Sequence, residues 1–229
     1  AGMAMGKEDQ AGWFNVVQSA RSQLGGFLVE WDDAGPAAAT TPAAATKDAP
    51  FVNSLGMKFV PVPITGGPTD GKWVLFSIWE MRVQDYEVFA KETKRQWPAE
   101  AAAQAPAHPA ARVSWVDAVA FAAWLTERER KAGKIGAGEG YRLPSDHEWS
   151  CAVGIGDRED AFERPRAKAE KIAKVYPWGE AWPPPAGAGN YKGEETPLGS
   201  DPTNPPIAGY RDGFSAMAPA GSFPPNALG

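Results

Sequence analysis

Redox and metal chemistry draw on cysteine and histidine, and this chain has few of either: one cysteine, Cys151, and two histidines, His108 and His147. Copper and iron sites need several such ligands brought together, and neither histidine has a supporting spacing. His108 precedes Pro109 in an Ala/Pro-rich stretch. His147 is expected to be exposed, in the first turn of a short helix that Ser145 caps. Cys151 follows in that helix, where a cysteine usually serves as a small buried hydrophobe. A single cysteine excludes an internal disulfide. The sequence holds no nucleophile elbow, no glycine-rich phosphate loop and no CxxC pair. Side-chain oxygens in loops are the remaining candidates, in Gly189-Asn190-Tyr191 and Tyr210-Arg211-Asp212-Gly213-Phe214. By composition alone Asn190 and Asp212 are turn residues, a role both types favour.

Residues 11–25 carry a helical stripe of Trp13, Val17, Ala20 and Leu24, stopped by Gly25 and Gly26. Phe27 to Trp31 reads as a short strand. Residues 34–47 are too poor in large apolar groups to pack and are expected to be extended or mobile. The expected organisation is therefore 1–33 as the tail of a preceding element, 34–50 as an Ala/Pro-rich linker, and 51–229 as the main domain. In that domain Met57 to Val62 and Trp73 to Glu80 read as strands joined by a Gly/Pro turn. Val83 to Lys94 reads as an amphipathic helix with Tyr86, Phe89 and Ala90 inward. Ser114 and Asp117 have capping-box spacing at the start of the clearest helix, whose expected core stripe is Ala118, Val119, Ala122 and Leu125 and whose stop is Gly133. Ser145 and Glu148 repeat the spacing. From Tyr176 onward Gly, Pro and Asn dominate, and regular structure is expected to be sparse. Trp79, Trp115, Phe121, Trp124, Trp149 and Trp178 are expected to be mostly buried.

Composition narrows the classes of function. The 229 residues are 43% apolar and 22% charged, as in an ordinary globular domain. A net charge of −5 argues against nucleic acid as the main partner, and the basic run from Arg128 to Lys134 reads as the solvated end of a helix. No apolar run reaches the ~20 residues of a membrane span. No signal peptide is visible, which leaves the location open. Ten tryptophans, 22 prolines and 25 glycines point to a loop-rich fold pinned by large aromatic rings.

Several motifs occur in a telling order: Asn53-Ser54-Leu55-Gly56-Met57 with Phe59-Val60-Pro61, Val113 to Ala118 with Phe121 and Trp124, Tyr141-Arg142-Leu143-Pro144-Ser145-Asp146-His147-Glu148-Trp149, Tyr176-Pro177-Trp178-Gly179, Asp212-Gly213-Phe214, and Ala218 to Gly229. Together they resemble the formylglycine-generating enzyme, or sulfatase-modifying-factor, family over about residues 51–229. The resemblance implies an α+β, loop-rich fold like that of a C-type lectin. It also implies a structural calcium site, with side-chain oxygens from Asn190 and Asp212 and backbone carbonyls from Tyr191 and Phe214. Such oxygens suit Ca²⁺, which takes ~6–8 of them. The family's oxidase is a copper enzyme whose two cysteines match positions past Gly229. Its sulfoxide-synthase branch holds iron with histidines. The expectation is a calcium-braced binding or scaffold module that is non-catalytic in this chain and takes a protein or peptide ligand. It is expected to show apolar surface that a complementing C-terminal segment or a second chain covers. Two alternatives stay open: a copper-dependent oxidase converting a sulfatase cysteine to formylglycine with cysteines downstream of Gly229, and a ligand-binding receptor with a variable C-terminal face.

Overall fold

The computed structural model describes residues 28–30, 41–102, 104–172, 174–196 and 205–229. The helix expected over 11–25 and the first part of the expected linker lie outside these residues.

Residues with strand propensity at both faces of a pleat make the central layer. The strands are β1 (Leu28–Glu30), β2 (Phe51–Val52), β3 (Lys58–Pro63), β4 (Trp73–Ser77) and β5 (Gly140–Arg142), in the spatial order β2-β3-β4-β1-β5 with antiparallel neighbours. β3 and β4 pair from Phe59 with Ser77 to Pro63 with Trp73. Because side chains alternate along a strand, Phe59 and Leu75 enter one core and Val62, Val74 and Phe76 enter another. The sheet is thus covered on both sides.

The first face is covered by α1 (Val83–Thr93) and α3 (Trp115–Lys131), with the short α2 (Ala99–Ala102) between them in sequence. Tyr86, Phe89 and Phe121 interlock there with ring centroids 5.3–6.0 Å apart. Ser114 caps α3, its hydroxyl accepting from Asp117 N–H while the Asp117 carboxylate accepts from Ser114 N–H. The buried stripe of α3 is Ala118, Phe121, Ala122, Leu125 and Glu129. Fully buried Glu129 is satisfied by the backbone N–H of Ser54 at 3.1 and 3.2 Å and by its hydroxyl. The second face is covered by α4 (Asp146–Ala152) and by the segment ending at Leu228. A further helix, α5 (Pro165–Lys171), follows.

Several expectations need correction. β1 is part of this sheet rather than of a separate preceding element: Leu28 faces both Phe76 and Arg142. The slot between β4 and β5 satisfies backbone groups on both edges of so short a strand. Within the expected linker, Pro42–Ala44 forms a 3-10 turn, Pro42 is buried and Ala45 packs on the first core. Lys47 Nζ donates to the Ala227 carbonyl at 3.0 Å, and Gly229 lies against Lys47 and Val60. Val119 sits off the buried stripe of α3 and is 39% exposed, and Trp115 is 67% exposed. Of the six aromatic residues expected inside, Phe121 is fully buried, whereas Trp79, Trp124, Trp149 and Trp178 are half-buried. Their amphipathic indoles sit at edges of the packing.

His147 is buried, not exposed. The loop after β3 folds over it, so Nε2 lies 2.8 Å from the Thr65 carbonyl and Nδ1 2.7 Å from Glu159. A side chain at Gly67 would meet the imidazole at 3.1 Å, and Gly67 has φ of +76°. Buried Lys168 completes the cluster, reaching Glu159 at 2.6 Å and Asp146 at 3.0 Å.

Glu148, beside His147, ties the same loop to β5. Its carboxylate accepts from Arg142 at 2.7 and 2.8 Å, from Ser145 N–H at 2.7 Å and from the Thr69 hydroxyl at 3.0 Å. Burial alone raises this carboxyl, but Arg142, Ser145 and Thr69 outweigh it and hold the group at about 2, against an ordinary 4.5. A depressed folded-state value stabilises the fold above pH 4.5, and that stability is lost as pH falls toward 2. We expect Arg142→Met to cost about 3 kcal/mol at neutral pH, because it strands a buried carboxylate. In urea titrations across pH 7 to 2, the variant should also lose stability less steeply below pH 4.5 than the parent.

Candidate functional site

The loops after Tyr176 are held by rings and by carboxylates that accept backbone N–H groups. Tyr176 and Gly179 close a turn through two backbone bonds of 2.8 and 3.0 Å, and Trp178 stacks on Tyr176 at 4.9 Å with 7° between planes. Trp178 meets Tyr191 edge-on at 5.5 Å, and Tyr191 meets Tyr210 at 5.8 Å. Buried Tyr210 donates its hydroxyl to the Gly189 carbonyl at 2.5 Å. Burial, and then the neighbouring Tyr210, push the Tyr191 phenol up to about 12, so both groups stay neutral donors at neutral pH.

This packing brings Asn190, Tyr191, Asp212 and Phe214 together. Asp212 Oδ2 accepts from the Tyr191 N–H at 2.8 Å and from Asn190 Nδ2 at 3.0 Å, and Oδ1 accepts from the Phe214 N–H at 2.8 Å. Asn190 also bridges onward: Nδ2 reaches the Ala216 carbonyl at 3.0 Å and Oδ1 accepts from the Ala218 N–H at 2.9 Å. Two residues the sequence did not single out support the knot. Glu195 accepts from the Gly213 N–H at 2.9 Å, chiefly for which its carboxyl lies below the ordinary range, and its other oxygen is buried without a hydrogen-bond partner. Glu194 accepts from the Gly209 N–H at 2.8 Å and pairs with Arg211. Nothing in the local sequence marks either glutamate, because their partners lie 15 to 18 positions away. A side chain at Gly193 would come within 2.6 Å of Glu195 and 2.9 Å of the Tyr210 carbonyl, so a glycine is needed for the two segments to approach.

The donor set suits a hard cation: one carboxylate, one amide oxygen and loop carbonyls. Among the described residues, no three His, Cys, Asp or Glu side chains converge as a metal cluster, so such a cation would rest on Asp212 and neutral oxygens. The soft-metal case differs. Cys151 is buried, its Sγ lies 3.7 Å from His147 Nε2, and a side chain at Gly156 would meet that sulfur at 2.6 Å. One enclosed sulfur does not fit a two-thiolate copper site. The histidines are apart in the fold: His108 accepts through its carbonyl from Val83 N–H at the start of α1, and His147 lies under the β3–β4 loop.

Asn190 and Tyr191 also wall a groove of about 580 Å³ on the second face of the sheet. Its apolar lining includes Val62, Phe76, Trp79, Trp149 and Phe223. The far wall is the 218–229 segment, fixed where Asn226 Nδ2 donates to the Ala152 carbonyl at 2.7 Å. Cys151 is not among the lining residues.

Residues 42–229 match the sulfatase-modifying factor enzyme 1-like domain. The chain belongs to that family. It is similar to proteins named formylglycine-generating enzyme from Bos taurus, 32% identical over 126 residues, and from Thermomonospora curvata, 32% identical over 130 residues. Each alignment covers 54% of this chain, but only 24% and 29% of those relatives. A Mus musculus protein of the same name is 32% identical over 124 residues, 53% of this chain and 23% of its own length. The chain thus spans about a quarter of the length of these relatives. No solved structure matches. The structure described is the mixed helix and strand arrangement expected, and no described helix is long and apolar enough to cross a membrane.

Both Asp212 oxygens accept from N–H groups, so an amide there sets a donor against a donor in either orientation. We expect Asp212→Asn, measured in chelator, to destabilise the fold by about 1–3 kcal/mol. A melting temperature equal to the parent's would show that these three bonds carry no stability.

Proposed function

We propose that this chain is the calcium-braced scaffold of a formylglycine-generating-enzyme-type domain, of C-type-lectin-like fold, and that it holds a polypeptide in the groove beside Asn190 and Tyr191. The observation that carries the reading is shared structure: the Asp212 knot forms one wall of the apolar groove, so bracing the knot shapes the groove. The occupant is a protein or peptide segment, supplied by a complementing C-terminal stretch or by a second chain. An apolar, aromatic-lined cleft of this size is a binding surface rather than an ordinary solvated face. Calcium would be held by the side-chain oxygens of Asn190 and Asp212 and the carbonyls of Tyr191 and Phe214. It supplies fixed positive charge that cross-links two loops.

Calcium that binds only the folded state raises the melting temperature by mass action. We expect that rise in the parent and its loss in Asp212→Ala, which removes the only carboxylate of the set. Tyr191→Ala melts lower, having lost its contacts with Trp178 and Tyr210, but keeps the calcium-dependent rise because only its carbonyl is used. Identical scans of the parent in calcium and in chelator would sink the metal assignment.

A second reading, a copper-dependent oxidase forming formylglycine from a sulfatase cysteine, is favoured by the names of the relatives. On this reading the two cysteines come from a segment downstream of Gly229. One assay separates the readings. A sulfatase-type cysteine peptide is titrated while total tryptophan emission, to which Trp79 and Trp149 of the groove contribute, is followed and compared with a Trp79→Phe, Trp149→Phe variant; the mixture is then incubated with copper, reductant and oxygen and weighed by mass spectrometry. The scaffold reading expects saturable binding with the peptide's mass unchanged. Conversion of the cysteine to an aldehyde, above a control without protein, would establish the oxidase instead.

A further inference from the structure

The middle of the sheet is filled from outside the region that defines the domain. The matched residues 42–229 contain β2, β3, β4 and β5, and β1 precedes them. In the order β2-β3-β4-β1-β5, β4 and β5 are not neighbours. Without β1 their bare edges would face each other across one strand position. Buried backbone groups are not left unpaired, so this region needs a strand that its own described residues do not supply. β5 depends on that position most. β3 pairs with β4 from Phe59 with Ser77 to Pro63 with Trp73, whereas β5 joins the sheet through β1. On the outer side of β5 the Tyr141 N–H is spent on the Thr126 hydroxyl at 2.8 Å. Arg142 of β5 in turn holds Glu148 of α4, so the strand between β4 and β5 also sets where α4 stands.

We propose that the position between β4 and β5 is a strand-accepting slot, that Leu28–Glu30 is its replaceable occupant, and that an extended polypeptide segment matching the five residues of β4 takes its place. β1 is three residues long and, among the described residues, registers with Leu75 and Phe76 of β4. A segment in register with all of β4 gains main-chain bonds, which is how added strands bind a sheet. The register fixes the chemistry of that segment. Its residue level with Leu75 and Tyr141 points into the first core, where both of those side chains are buried, and so must be apolar. The residues on either side of it point to the second face, one of them level with Phe76 and Arg142. Because Tyr141 turns its N–H away from the slot, ladder alternation directs the N–H of the central residue to β4. Proline cannot stand at that position.

The probe is a fluorescein-labelled peptide with the sequence of residues 26–32, Gly-Phe-Leu-Val-Glu-Trp-Asp. It is titrated by anisotropy into the full chain and into its Val29→Pro variant. The variant should bind the peptide about ten-fold or more tightly than the parent, whose own β1 competes from within the chain. The same peptide with proline in place of its valine should bind neither protein. Equal affinity for the two proteins, equal affinity of the two peptides, or no binding to the variant overturns the proposal. If Val29→Pro does not fold alone, the valine peptide should restore a cooperative melt, and failure to restore one overturns it as well. Hydrogen exchange on the variant then locates the peptide. Its binding should slow the amides of Gly140 and Arg142 about ten-fold or more, since paired amides open only with their ladder. Protection confined to 218–226 would place the peptide in the groove, overturning the slot while leaving the groove reading intact.

Discussion

The fold depends on one short ladder, β3 against β4, being apolar on both sides. Phe59 and Leu75 give the α1–α3 layer something to pack on, and Val62, Val74 and Phe76 do the same for α4 and the 218–229 segment. Within the five paired positions, Phe59, Val60, Val62, Val74, Leu75 and Phe76 are the buried ones. Each buried aliphatic or aromatic side chain there contributes roughly 1.5–3 kcal/mol. A polar residue at any of these six would unseat a layer rather than a contact.

Beyond α5 the described residues form no named strand, and carboxylates supplement a few backbone pairs such as Glu194 with Tyr210. Asp212, Glu194 and Glu195 accept five described backbone N–H and amide donors between them, and Asn190 spends both ends of its amide on neighbouring loops. Hydrogen bonds to charged acceptors are stronger than neutral ones, so a loop region can be firm without being regular. The rings from Tyr176 to Tyr210 then exclude water from the backbone bonds they cover. Binding surfaces built this way keep the freedom of loops and the definition of a sheet.

Local patterns were legible in the sequence because their causes are local. The strands around Phe59 and Leu75, the helices begun by Ser114 and Ser145, and the meeting of Asn190 with Asp212 all follow from residue type, spacing or family motif. What escaped was set by distant partners. His147 is buried because Thr65, Glu159 and Lys168 converge on it, and none of these adjoins it in sequence. Glu148 reads locally as a capping residue, while its bonds to Arg142 and Thr69 exist only in the fold. β1 could be recognised as a strand but not placed, since nothing in Leu28–Glu30 says which sheet has a vacant slot. Several tryptophans were placed too deep because burial of an indole depends on where its layer stops, which periodicity does not encode.

The contact between Lys47 and Ala227, 180 positions apart, has a topological corollary. The first and last turns of the family-matched region meet at a single point on the surface, beside Val60. Holding them together closes one long loop of chain, so the approach to β2 and the far wall of the groove tighten or loosen as one.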